Sequence, residues 1–285
     1  MLQNQVYQLY DNQLKNWDTF RENVNNLKTL KTRVVNINGT KITLQFNPKR
    51  IVSSGAKVDK KSLSERPCFL CKKNRPEVQD RVIFNQDFEI LVNPYPIIPY
   101  HFTIPKINHE DQQILPNIGT MIDLALELED FNIFYNGPQC GASAPDHMHF
   151  QAVRKGILPL ENDIKNIHNS FNKADYLRSC IFIKDKDKKM IINTFNNIYD
   201  QFKTEECEPK MNIFCWSEQK EITICIFPRN AHRPSYYFEK GEKQILVSPG
   251  AIDMAGILIL PQEKDFNGIT EKIIQDIYAQ VSAEI

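Results

Sequence analysis

The chain has 285 residues, 41% of them hydrophobic, with 35 basic and 35 acidic side chains that cancel at neutral pH. Such a length can bury one large core or two moderate ones. The absence of net charge excludes a broad electrostatic footprint for nucleic acid or an anionic membrane, so a small ligand is the expected partner. The first residues lack a basic segment followed by an apolar run and a cleavage site, and no stretch is apolar for long enough to span a bilayer. Seven unevenly spaced cysteines do not fit a secreted disulfide framework. A cytoplasmic location with reduced thiols is expected.

Apolar residues from Val6 through Leu9, Tyr10, Leu14, Trp17, Phe20 and Val24 to Leu27 recur at threes and fours, predicting one amphipathic helix packed on the body. Strands at 32–37 and 41–46 flank Asn38-Gly39, a pair that tolerates the positive φ of a tight hairpin turn. Further strands are predicted at 81–84, 88–93 and 101–104, with a proline-rich bend over 93–99. A helix at 115–129 precedes a strand at 132–136 and then a strand carrying His147 and His149.

Beyond residue 155 the pattern predicts a helix or loop at 161–172, a strand at 180–184 and a charged turn at 184–189. A helix at 191–202, strands at 212–216, 221–227 and 256–260, and a helix at 269–281 follow. Asn132-Ile133-Phe134-Tyr135 and Asn212-Ile213-Phe214-Cys215 look alike, and duplication and chance both account for three matching letters.

The chemistry concentrates in residues 136–151. His147, His149 and Gln151 alternate, so on one strand they share a face while Met148 and Phe150 are buried on the other. A neutral imidazole at His149 can attack phosphorus directly; the bland reading is a metal ligand or an interior histidine. Gly141, Ala142 and Ser143 leave backbone N–H groups and a hydroxyl for phosphate oxygens, although most such loops are only turns. Gln151 can donate to a phosphate oxygen without acting as an acid, and is otherwise plain strand polarity.

Cys68-Phe69-Leu70-Cys71 is a knuckle that can give two thiolates to one tetrahedral zinc, with His109 and His147 as candidates for the other two ligands. Two ordinary thiols or a redox pair are the alternatives. Arg229 and Arg233 could clamp a second phosphate through bidentate hydrogen bonds, or sit in a solvated loop. Arg50 and Lys57 are further candidate phosphate holders of the kind usually found as surface cations.

His147-Met148-His149-Phe150-Gln151, with Phe46-Asn47-Pro48, Cys68-Phe69-Leu70-Cys71, Leu91-Val92-Asn93 and Pro99-Tyr100-His101-Phe102-Thr103-Ile104-Pro105, resembles the histidine triad superfamily over residues 45–152. In the transferase branch of that superfamily a glutamine replaces the third histidine. That branch includes galactose-1-phosphate uridylyltransferase and the dinucleoside polyphosphate phosphorylases, and His149-Phe150-Gln151-Ala152 is also similar to the GDP-galactose phosphorylases. The resemblance implies an α+β fold with an antiparallel sheet: an N-terminal helix at 1–30, a catalytic half at 31–155, and a degenerate half at 156–285 completing the pocket. It implies His149 as nucleophile, Ser143 and Gln151 as phosphate contacts, and Asn93 as a ribose contact. Asn136 and Gly141 are expected beside the substrate, and Cys68, Cys71, His109 and His147 around one structural zinc.

Uridylyltransferases carry more histidines in their later half than the His168 and His232 found here, which favours the phosphorylase branch. The expected activity is nucleotidyl transfer from a nucleoside diphosphate sugar or dinucleoside polyphosphate to phosphate or a sugar phosphate, by a monomer or homodimer. Hexose-1-phosphate uridylyl transfer, hydrolysis, and a non-catalytic zinc-stabilised nucleotide-binding module are the alternatives. Since the attacking imidazole must be neutral, an ordinary histidine pKa near 6.5 predicts loss of rate on mild acidification.

Overall fold

The computed structural model describes residues 1–51, 55, 59–164, 177–202 and 208–285. Lys57, His168 and the part of the 161–172 segment from residue 165 onward fall outside them. The helices are α1 (Leu2–Asn16), α2 (Asp18–Leu27), α3 (Lys60–Glu65), α4 (Ile118–Glu127), α5 (Pro159–Asp163), α6 (Lys188–Gln201), α7 (Ala251–Met254), α8 (Glu263–Gly268) and α9 (Glu271–Val281). The strands are β1 (Lys31–Ile37), β2 (Thr40–Phe46), β3 (Val82–Phe84), β4 (Phe88–Val92), β5 (Phe102–Pro105), β6 (Phe131–Asn136), β7 (His149–Arg154), β8 (Ile181–Asp185), β9 (Met211–Glu218), β10 (Glu221–Pro228) and β11 (Ile257–Leu260).

Eight strands form one sheet in the order β3-β4-β5-β7-β6-β9-β10-β8, every neighbouring pair antiparallel. One face, carrying Phe102, Ile104, Ile133, Tyr135, Phe150, Ile213 and Ile224, packs with Val6, Leu9 and Tyr10 of α1 and with residues of α4 and α6. The other face, with Phe134, Val153, Phe214 and Phe227, packs on a small sheet and the C-terminal helices. Because strand residues alternate sides, β6, β7, β9 and β10 contribute apolar residues to both faces.

The predicted N-terminal helix is two helices. Trp17 takes an extended conformation (φ −123, ψ 100) between them and turns its buried ring towards Phe20. The Asn38-Gly39 hairpin forms as expected, both residues at positive φ. β11 joins that hairpin in parallel, pairing with β2, so a strand from the end of the chain completes a sheet begun near its start.

The two look-alike segments face each other. β6 and β9 pair so that Phe134 lies opposite Phe214, Ile133 opposite Cys215 and Tyr135 opposite Ile213. A local two-fold therefore passes through the Phe134–Phe214 pair, whose rings stack at 5.4 Å. Carried outward by the strand registers, it relates β7 to β10 and β5 to β8.

Candidate active site

His149 opens β7 and is 3% exposed. Nδ1 lies 2.8 Å from the carbonyl of His147, which can only accept, so the imidazole proton sits on Nδ1 and Nε2 keeps a lone pair. Burial pulls the pKa of His149 down to about 4, so the ring is neutral at physiological pH. His147 precedes the strand instead of lying on it. Its own ring is turned to the cysteine knuckle, which corrects the expectation of three polar side chains on one strand face.

Gln151 follows on the same face of β7. Its Oε1 is 2.8 Å from His101 Nε2, while the backbone N–H of Ile97 donates to His101 Nδ1 at 3.3 Å. With Nδ1 accepting, a neutral His101 must donate from Nε2, which fixes the amide so that its NH2 points away from His101. Burial lowers the pKa of His101 to about 3, with the charge of Arg50 contributing, so that orientation persists at every ordinary pH. Asn93 Nδ2 lies 3.5 Å from the same ring nitrogen. Arg50 donates to Tyr95 O at 3.4 Å, and a cavity of ≈ 140 Å³ between α2 and the 47–50 turn is lined in part by Asn47, Arg50 and Tyr95.

The loop 137–148 is braced from several sides. Asn136 Oδ1 accepts from Asn212 Nδ2 at 2.9 Å and from the backbone N–H of Ala251 at 2.7 Å, so this side chain holds β6, β9 and α7 together. Gly141 has φ +94, and a Cβ there would stand 2.5 Å from the Cα of Gly250. Its glycine is therefore required by the close approach of two backbones. Ser143 is partly buried beside Arg66, which donates to its carbonyl at 3.2 Å and to Asp146 Oδ1 at 2.8 Å.

Cys68, Cys71, His109 and His147 bring their ligand atoms within 4.8 Å of one another, from three separate segments. Cys68 Sγ lies 3.2 Å from His147 Nδ1, and Cys71 Sγ lies 3.2 Å from His109 Nδ1. His147 Nε2 is 2.7 Å from the carbonyl of Lys106, to which it donates, leaving Nδ1 as the ligand atom. Burial alone would raise the Cys68 thiol, but hydrogen bonds from His147 and from the Leu70 and Cys71 backbone draw it down; burial and the neighbouring Cys68 charge raise Cys71. Two sulfurs and two nitrogens at this spacing form a donor set that could hold a metal ion.

Arg229 departs from the expected phosphate clamp. Nε donates to Val281 O, Nη1 to Asn212 Oδ1 and Pro249 O, and Nη2 to Ala231 O and His232 O. All five N–H groups of the guanidinium are committed to the protein, so none remains for a phosphate. Arg233 lies over the ring of Tyr237 at 4.1 Å and donates from Nε to Ser248 Oγ at 3.0 Å, two residues before the Gly250 that abuts Gly141.

Three residues at the site escape a sequence reading. His101 orients Gln151, Asn212 ties Asn136 to Arg229, and Gln112 contacts His149 directly through its main chain. His101 and Asn212 belong to sequence segments with a visible pattern, the first in 99–105 and the second in the look-alike 212–215; Gln112 belongs to none.

No curated protein matches the sequence. Residues 165–284 match the model described as GDPGP1-like, C-terminal domain. Among solved structures, yeast Ap4A phosphorylase Apa2 in complex with Ap4A is similar with a TM-score of 0.70 at 13% identity, over 99% of this chain and 97% of that one. The same yeast enzyme in complex with AMP gives 0.62 at 14% identity, over 93% and 95%. The likeness is one of fold, and it bears out the α+β architecture with an antiparallel sheet that the sequence resemblance implied. Residues 9–154, more than half of the sequence, match the model described as Domain of unknown function (DUF4922), and the chain belongs to that family.

Proposed function

We propose that the protein is a nucleotidyltransferase of the phosphorylase type, acting on a nucleoside diphosphate sugar or a dinucleoside polyphosphate. His149 Nε2 attacks the α-phosphorus, a P–N bond forms, and the P–O bond to the leaving phosphate breaks. Inorganic phosphate then attacks the same phosphorus, the P–N bond breaks, and a nucleoside diphosphate leaves with His149 neutral again.

The observation that carries this reading is the pairing of a neutral His149, its proton held on Nδ1, with a Gln151 amide whose NH2 is turned away from His101. The first supplies a lone pair for phosphorus, and the second supplies a donor for a non-bridging oxygen that can neither protonate a leaving group nor activate water. Ser143 and the backbone N–H groups around Gly141 add donors on the transferred phosphate, Asn93 meets the ribose, and Arg50 adds positive charge from the 47–50 turn. Arg233 is the cation offered to the second phosphate. Zinc in the Cys68, Cys71, His109 and His147 set would be structural, pinning three segments next to the reacting strand. The half after residue 155 walls the pocket.

Product analysis tests the reaction class. With a pool of nucleotide sugars and dinucleoside polyphosphates, turnover should require phosphate and release a nucleoside diphosphate. Release of a nucleoside monophosphate at the same rate without phosphate would make the protein a hydrolase.

A further inference from the structure

The register of β6 and β7 places Phe134 opposite Gln151, and two residues further on it would place Asn136 opposite His149. Pairing stops before that point, and the side-chain amide of Gln112, 1% exposed, stands in the gap. Its Oε1 accepts the backbone N–H of His149 at 2.8 Å. Its Nε2 donates to the carbonyls of His149 and Asn136, at 3.0 Å each. A carboxamide has the planar donor and acceptor pair of a peptide group, so this side chain does for the last rung of the ladder what β6 would otherwise do.

We infer that Gln112 is a positioning residue for His149: a surrogate strand group that sets the main chain of the nucleophile where β6 and β7 part to admit the phosphate loop. The inference rests on His149 being the nucleophile. The ring is already held by the His147 carbonyl; Gln112 holds the main chain, and together they determine where Nε2 points.

The segment bearing Gln112 is itself fixed. Its own N–H donates to Pro145 O at 3.1 Å, and the N–H of Met148 donates to Glu110 O at 2.6 Å. The N–H of Ile114 donates to Glu208 Oε2 at 2.5 Å, and Glu208 is 4% exposed and accepts from Tyr135 OH at 2.6 Å. Residues 110–114 are thus tied to the phosphate loop at one end and to the start of β9 at the other. Gln112 reaches the main chain of His149 from the β6 side of β7.

The test uses the full chain and two variants. Gln112→Met removes the amide at equal volume. Gln112→Glu keeps an acceptor for the His149 N–H but turns a second oxygen on two carbonyls unless it is protonated. Amide hydrogen exchange of His149 should accelerate at least about fivefold in Gln112→Met, the equivalent of one net hydrogen bond, with Ala152 unchanged. The single-turnover rate of nucleotide attachment from the pooled donors should fall about 10²-fold, as displacements near 1 Å do, while the half-saturating donor concentration stays within about threefold, because the Gln112 amide is buried and bonded to main chain. In Gln112→Glu the lost rate should return as pH falls from 8 to 6 and the carboxyl takes up a proton that can donate to a carbonyl. A role confined to stability would lower the unfolding midpoint and leave the attachment rate of the folded variants unchanged.

Unchanged His149 exchange and rate in both variants would overturn the inference. So would a loss carried wholly by donor affinity. Faster exchange in Gln112→Met, alongside a wild type that attaches no nucleotide, would leave the clamp standing and refute the nucleophile reading.

Discussion

The hairpins β6–β7 and β9–β10 lie side by side about the local two-fold and share a register, yet they present opposite chemistry. Gln151 pairs with Phe134 on one side, and Cys225 pairs with Phe214 on the other, so Cys225 holds the place of Gln151 and Thr223 the place of His149. The strand before each repeats the relation. His101 meets Gln151 at 2.8 Å, and at the matching position Cys180 Sγ meets Cys225 Sγ at 3.4 Å. A polar, tautomer-fixing pair on one side is two small buried thiols on the other.

The connections differ as sharply. β6 and β7 are joined by the loop 137–148, whereas β9 and β10 are joined by Gln219 and Lys220 alone, at φ 51 and 65, the geometry of a tight hairpin turn. A two-residue turn has no spare N–H groups with which to cradle an anion. One framework thus carries the candidate site in its first appearance and small or apolar side chains in its second, and what separates the two is loop length and three side chains.

That contrast can be broken by mutation. His149→Ala should abolish nucleotide transfer by at least about 10⁴-fold, as removal of a nucleophile does, while Thr223→Ala stays within about threefold; steady-state rates with the pooled donors would show it. Cys68→Ser should release the metal and lower stability by roughly 4 kcal/mol, the range in which lost metal sites fall. Cys225→Ser should keep one metal ion per chain by elemental analysis. Gly141→Ala should cost about 2–4 kcal/mol in denaturant unfolding, because it adds a Cβ against the Gly250 backbone at a positive φ.

The pH profile sharpens the comparison further. Only the neutral ring of His149 can attack, and burial lowers its pKa to about 4. The rate of nucleotide attachment should therefore stay level from pH 8 to 6 with metal content held, where an ordinary histidine would lose roughly three quarters of its neutral form. The smallest effect is expected at the second hairpin. Lys220→Gly should stabilise the protein by up to about 1 kcal/mol, measured by thermal unfolding, since φ 65 is a backbone conformation that favours glycine.

Much of this organisation was legible in the residues. The alternation of His149 with Gln151, the Cys-x-x-Cys knuckle and the Asn-Gly turn are local patterns, and local patterns survive folding. The relation between 132–135 and 212–215 was visible as three shared letters, but its meaning as a strand pairing emerges only once β6 lies against β9. Gln112 looked like any polar residue because its role depends on a gap between two strands. Arg229 departs from the phosphate clamp for a related reason: a sequence counts a guanidinium as available, and only the fold shows that all five of its N–H groups are taken. The break at Trp17 and the parallel pairing of β11 with β2 are likewise decided by tertiary packing, to which an apolar period is blind. Among the described residues no helix is long and apolar enough to cross a membrane, as the hydropathy pattern indicated.

The central claim is a covalent bond between His149 and a nucleotide. Intact-protein mass spectrometry of metal-loaded wild type and His149→Ala, each incubated with the pooled donors and no acceptor, tests it most directly. The account predicts one nucleoside monophosphate added to the wild type, lost again on addition of phosphate, and none on the variant. A folded, metal-loaded wild type that stays at its unmodified mass, or an adduct that persists on His149→Ala, would contradict it.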